Sequence, residues 1–208
     1  MNTLLERIAK NKIVPVIKLD CADDAIPLAK ALIKGGLPVA EVTFRTDAAE
    51  RSIKNMIAEF PEMLVGAGTI TDVGQAKRAF EAGAAFLVSP GFSIKVAEFA
   101  RENDLPYIPG VCTPREIMLL MEYNIPLAKF FPAKQYGGLD TIKALAPAFP
   151  SIKFMPTGGV DASNINEYLT FPKIIACGGS WMVKESMINE HKFSEIEKLT
   201  MEAVELVR

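Results

Sequence analysis

The stretch from residue 13 to residue 45, IVPVIKLDCADDAIPLAKALIKGGLPVAEVTFR, decides the fold. Its two ends, IVPVIK from Ile13 and VAEVTF from Val39, are short apolar or β-branched runs of strand length. Between them Ile26, Leu28, Ala29, Leu32 and Ile33 recur at three- and four-residue intervals, which predicts an amphipathic helix over 24–33 stopped by Gly35 and Gly36. A strand, a helix and a second strand in so short a length imply parallel pairing through a right-handed crossover.

The same unit recurs outward. Further strand-like runs begin at Leu64 (LVGAGT), Phe86 (FLVSP), Tyr107 (YIPG), Leu127 (LAKFFP), Lys153 (KFMPTG) and Ile174 (IIACGG). Helical periodicity covers 48–60, 72–82, 93–103, 114–123, 139–149 and 195–207, with Asp72, Ser93 and Thr113 as N-caps. The polar interval 185–193 reads as a loop. Eight strand runs of this kind predict one domain over residues 1–208, an α/β (β/α)8 TIM barrel, with Leu4, Leu5 and Ile8 on a short N-terminal helix that covers its bottom. A doubly wound nucleotide-binding sheet is the rival architecture, but no GxGxxG follows the first strand and no GxxxxGK[ST] loop occurs.

Composition narrows the chemistry. The chain has 208 residues, half of them hydrophobic, with 23 Lys and Arg against 25 Asp and Glu, so no basic excess exists to neutralise a nucleic acid backbone. One histidine, His191, leaves no poly-histidine zinc site and a single candidate base for a Ser-His or Cys-His pair. Cys21, Cys112 and Cys177 are odd in number and widely spaced, which suits reduced thiols. The opening MNTLLERIAKNK has no apolar stretch behind a basic segment, and no apolar run approaches the roughly 18 residues of a membrane span. A soluble, cytoplasmic protein is expected.

In a barrel of this kind the reactive groups stand at the C-terminal strand ends. Lys129 is the most informative residue, because it shares the parity of Leu127 and Phe131 within an apolar strand and so points inward. Poor solvation disfavours an ammonium there and favours an amine able to attack a carbonyl, unless a buried carboxylate neutralises it. Lys18 and Lys153 compete, at a solvent-accessible strand exit and at the wrong strand end respectively. Glu41, Thr43 and Arg45 alternate onto one face of the second strand. They read either as a structural Glu41–Arg45 ion pair or as a general acid/base and a carboxylate anchor.

The turns PTGGV (156–160) and CGGSW (177–181) follow the seventh and eighth strands, where backbone N–H groups and the Ser180 hydroxyl can hold a phosphate. Thr69 and Pro90 end the third and fourth runs, where a pocket wall and an ordinary strand terminator are equally good readings. Cys112 and Cys177 read as packing. Asp20, Asp47 and Asp161 follow different strands without familiar ligand spacing, so neither a metal nor a cofactor is called for.

EVTFRT, VGAGT, VSPGF, IPGVCTP, KFFPA, PTGGV and CGGSW, in this order, give the chain a resemblance that extends from Val14 to Val183. It resembles the bacterial 2-keto-3-deoxy-6-phosphogluconate aldolases, also called 4-hydroxy-2-oxoglutarate aldolases. The resemblance implies a metal-independent class I aldolase of (β/α)8 fold, typically homotrimeric. Such an enzyme cleaves a phosphorylated 2-keto-3-deoxy sugar acid reversibly to pyruvate and glyceraldehyde 3-phosphate, as in the Entner–Doudoroff route. It further implies Lys129 as the Schiff-base lysine, Glu41 as the acid/base, and Arg45 with Thr69 as the holders of the pyruvyl carboxylate. Pro90 and Phe131 then belong to the pocket wall, and Thr157, Gly158, Gly159, Gly179 and Ser180 to the distal, phosphate-binding part. Two stretches depart from the family wording, CTPREI at 112–117 and Lys134 after KFFPA, and both bear on oligomer contacts or distal selectivity. A phosphosugar isomerase or epimerase using Glu41 as base, and a non-catalytic phosphosugar-binding barrel, are the alternatives. Schiff-base trapping separates them from an aldolase.

Overall fold

The computed structural model describes residues 3–208. Among these residues nine parallel strands, all but β5 and β6 separated by helices, are β1 Ile13–Ile17, β2 Val39–Thr43, β3 Leu64–Gly68, β4 Leu87–Val88, β5 Tyr107–Ile108, β6 Gly110–Val111, β7 Leu127–Phe130, β8 Lys153–Pro156 and β9 Cys177–Gly179. The helices are α1 Leu4–Asn11, α2 Ala25–Lys34, α3 Ala49–Glu59, α4 Val73–Glu81, α5 Ile94–Glu102, α6 Pro114–Glu122, α7 Gly138–Leu145, α8 Ile165–Leu169, α9 Glu185–Asn189 and α10 Phe193–Leu206. The fold is α/β with a curled, parallel sheet. Among the described residues no helix is long and apolar enough to cross a membrane.

The ladders run β5-β4-β3-β2-β1-β9 in one sheet and β6-β7-β8 in the other. This departs from the eight uninterrupted strands expected, and the reason lies in Pro109. The YIPG run, read as one strand, divides there because proline has no N–H to give to a ladder, although its carbonyl still accepts from the Lys129 N–H at 2.9 Å. Its first half pairs with β4 and its second with β7. On the far side the bridging pairs Phe154↔Ile174 and Thr157↔Gly178 link the β8 and β9 stretches. IIACGG correspondingly forms a strand only at its glycine end.

Local chemistry explains several helix boundaries. Asp72, Ser93 and Thr113 are N-caps whose side chains accept from the N–H groups of Gln75, Val96 and Glu116. The segment read as helix to Phe149 tightens into a 3-10 turn at Ala146–Ala148, which accommodates Pro147. The interval 185–193, expected to be a loop, contains α9, a helix of five residues and too short for periodicity to reveal.

One continuous cluster of buried apolar side chains fills the interior and the helix–sheet interfaces. Eight polar or charged residues are buried with it among the described residues, and four of them, Glu41, Thr43, Lys129 and Thr157, lie on β2, on β7 and immediately after β8. Buried polarity is costly without partners, so this concentration marks the region where the fold is adapted to something other than packing.

Candidate active site

Lys129 is carried by β7, whose four residues are all buried and whose backbone pairs on both sides, with Gly110 of β6 and Met155 of β8. It is 4% exposed and the only buried lysine among the described residues. Lys153 is half-buried at the start of β8 and donates to the Pro172 carbonyl, while Lys18 is bound up in surface ion pairs. Glu41 sits in β2 between Val16 of β1 and Gly66 of β3 and is fully buried.

The Lys129 ammonium nitrogen donates to Glu41 Oε1 at 3.2 Å, a contact between the two sheets. Glu41 Oε2 has no hydrogen-bond partner among the described residues. Space for this carboxylate comes from Gly68, where a Cβ would stand 2.6 Å from Glu41 Cγ. A single bond to the lysine and one free acceptor, both screened from solvent, form a pair able to hold, lend and take back a proton.

Arg45, read as a possible ion-pair partner of Glu41, is exposed and makes no salt bridge to it. Its Nε donates instead to Thr69 Oγ1 at 3.3 Å. Thr69 has φ +58, a left-handed conformation unfavourable for a β-branched residue by about 1–2 kcal/mol, and the turn after β3 imposes it where the hydroxyl meets the guanidinium. Thr43 Oγ1 donates to the Ile17 carbonyl at 2.9 Å, so this third inward polar residue ties β2 to β1.

A cavity of about 370 Å3 opens at the C-terminal strand ends. Arg45, Phe131, Thr157, Gly158, Gly159, Gly179 and Ser180 all line it, as the motif reading expects. Lys129 and Glu41 do not themselves line it; Phe131, which does, has its ring centroid 5.1 Å from Lys129 Nζ. Gly158 and Gly159 have φ of +96 and +76, so their turn requires glycine. Thr69 reaches the cavity only through Arg45. Pro90 does not line it; the Pro90 carbonyl packs against Gly110, where a Cβ has no room. Motif reading passed over the cavity's outer rim, Lys184 and Glu185, and gave Lys18 only the role of a competing nucleophile.

The other nucleophile candidates fall away. Burial pushes the Cys177 thiol up to about 12, and burial with the Glu116 carboxylate raises Cys112. His191 Nδ1 lies 3.0 Å from Asp24 Oδ1 and lines none of this cavity. A second cavity of about 320 Å3, between α1 and the starts of β5 and β7, is lined mainly by apolar side chains such as Leu4, Leu5 and Ile125.

The chain is 42% identical over 205 residues to the 2-dehydro-3-deoxy-phosphogluconate aldolase of Haemophilus influenzae, covering 99% of this chain and 97% of the relative. Its structure superposes with a TM-score of 0.93, at 39% identity and with 97% and 98% of the chains covered, on the KDPG aldolase of Legionella pneumophila, solved with pyruvate captured as a covalent carbinolamine intermediate. The 2-keto-3-deoxy-6-phosphogluconate aldolase of Zymomonas mobilis, solved with 3-phosphoglycerate, matches with a TM-score of 0.90 at 36% identity, covering 97% and 95%. With the family model for KDPG and KHG aldolase matching residues 4–199, a buried lysine–carboxylate pair beneath glycine turns sits on a chain that belongs to the KDPG and KHG aldolase family.

Proposed function

We propose that this class I aldolase splits 2-keto-3-deoxy-6-phosphogluconate reversibly to pyruvate and glyceraldehyde 3-phosphate, with Lys129 as the Schiff-base residue and Glu41 as its acid/base. The observation that carries the assignment is the 3.2 Å contact between a buried lysine and a buried carboxylate whose second oxygen is free. 4-Hydroxy-2-oxoglutarate, which yields pyruvate and glyoxylate, has the same pyruvyl half and is a second substrate. The isomerase and binding-module readings leave Lys129 as the neutralising partner of Glu41, without a covalent role.

The chemistry follows from placement. The Lys129 proton passes to Glu41 and the free amine adds to the C2 carbonyl, giving a carbinolamine. Protonation of its hydroxyl by Glu41 expels water and leaves an iminium. Glu41 then takes the proton of the C4 hydroxyl, the C3–C4 bond breaks as the aldehyde forms, and its electron pair neutralises the iminium as an enamine. Protonation at C3 and hydrolysis release pyruvate and restore the amine. Arg45 with Thr69 holds the carboxylate so that C2 faces Nζ, while Thr157, the two glycine turns and Ser180 hold the distal hydroxyls and phosphate, which converts binding into orientation.

The architecture proposed with this reading is one closed (β/α)8 domain. It is supported by the split fifth strand, which pairs with β4 and β7, and by the bridges between the β8 and β9 stretches. A cytoplasmic homotrimer follows from the family resemblance, and exposed Phe80, Ile94, Met118 and Met121 on α4, α5 and α6 supply apolar surface for it. The test of function is pyruvate release from 2-keto-3-deoxy-6-phosphogluconate, read by a coupled lactate dehydrogenase assay. Turnover is expected from the unaltered chain and loss to background from Lys129→Ala; turnover surviving in that variant would exclude the assignment.

A further inference from the structure

The outer rim of the cavity holds a charge arrangement that the lysine–glutamate chemistry does not use. Lys18 follows β1, and the register Pro15↔Gly179 sets this strand end beside Gly179 and Ser180. Lys18 Nζ stands 2.9 Å from Asp20 Oδ1 and 2.5 Å from Glu185 Oε1. The two carboxylates are not equivalent. Asp20 does not line the cavity, and its second oxygen accepts from Asn189 Nδ2 at 3.2 Å. Glu185, the first residue of α9, does line it, with its side chain nearly half exposed.

We propose that Lys18 is a specificity-determining residue: its ammonium is the movable cation of the distal anion subsite, and Glu185 is its resting counter-ion, displaced when a phosphate-bearing substrate docks at the glycine turns. This deepens, and rests on, the aldolase reading. The physical case is one of charge. Turn N–H groups offer dipoles but no formal charge, whereas a phosphate monoester carries roughly −1.5 to −2 near neutral pH. Three cations line the cavity: Arg45, engaged with Thr69 at the carboxylate end; Lys184, exposed and without an ion pair among the described residues; and Lys18, the one held there by a carboxylate of the lining itself. Lys18 stands beside the Gly179–Ser180 turn on a flexible four-carbon stem, so its ammonium can follow the incoming group. Exchanging the Glu185 carboxylate for a phosphate with more charge and three acceptor oxygens favours the exchange. A substrate ending in a neutral hydroxyl offers Lys18 nothing comparable and leaves the pair intact.

The measurement is the ratio of kcat/KM for 2-keto-3-deoxy-6-phosphogluconate to that for the same acid without its phosphate. Lys18→Gln is expected to lower the ratio roughly five- to tenfold, mainly through KM of the phosphorylated substrate, and Lys18→Arg to restore part of it. Glu185→Gln is expected to raise the ratio about threefold, and to do so no longer when combined with Lys18→Gln, since no cation is then left to release. Trapping of pyruvate on Lys129 by borohydride accompanies each variant. An unaltered ratio in Lys18→Gln, or equal losses on both substrates, with the Lys129 adduct intact, overturns the proposal while the aldolase reading stands. Absence of the adduct in the unaltered chain removes both.

Discussion

Glu41 reaches Lys129 only because residue 68 has no side chain, so the pair depends on a glycine that neither holds substrate nor carries a proton. Gly68→Ala is expected to push the carboxylate away from Nζ. kcat should fall by about 10²-fold, the scale of misplaced general acid/base help, and overpacking should cost about 1–3 kcal/mol of stability. Steady-state kinetics and urea unfolding read the two effects separately. Lys129 and Glu41 were legible in the sequence because a charged residue at inward parity in an apolar strand has few physical excuses. Pro90 was not, since a proline ending a strand has the same sequence signature whether it walls a pocket or packs on a neighbouring glycine. The Lys18–Glu185 contact joins residues 167 positions apart, beyond the reach of any local pattern.

At the scale of elements, capping chemistry made helix starts readable, and α6 offers the clearest test. Thr113 and Glu116 form a reciprocal capping box, and Glu116 also accepts from the Cys112 N–H at 2.9 Å. Burial pushes the Glu116 carboxyl up, but the bonds from Cys112 and Thr113 outweigh it and hold the group below its ordinary value. A depressed carboxyl stabilises the fold above the ordinary carboxylate range and loses that contribution as pH falls through its folded value. Glu116→Gln should therefore cost about 1 kcal/mol at neutral pH, with the gap to the unaltered chain closing on acidification; urea unfolding at the two pH values checks the sign. The elements that were misread have physical causes too. Pro109 divides a strand that hydropathy reads as one, and α9 has five residues, barely more than one helical turn.

For the whole molecule, alternation of strand and helix was enough to predict parallel pairing, and the glycine turns after the last two strand runs do line a cavity. How the strands would divide into ladders was not legible, because that depends on backbone donors at single positions such as Pro109. Assembly is a property of the surface and leaves no periodic signal. The homotrimer proposed above is expected to give a solution mass about three times the 22.7 kDa of the chain by light scattering; a monomer mass at micromolar concentration would contradict it. The central claim, that the buried amine of Lys129 forms a Schiff base with a keto acid, is tested most directly by incubating the protein with pyruvate and borohydride, then mapping the modified peptide by mass. The account predicts one pyruvate-derived adduct, on Lys129, and none after Lys129→Ala. A folded, unmodified protein, or an adduct on another lysine instead, would contradict it.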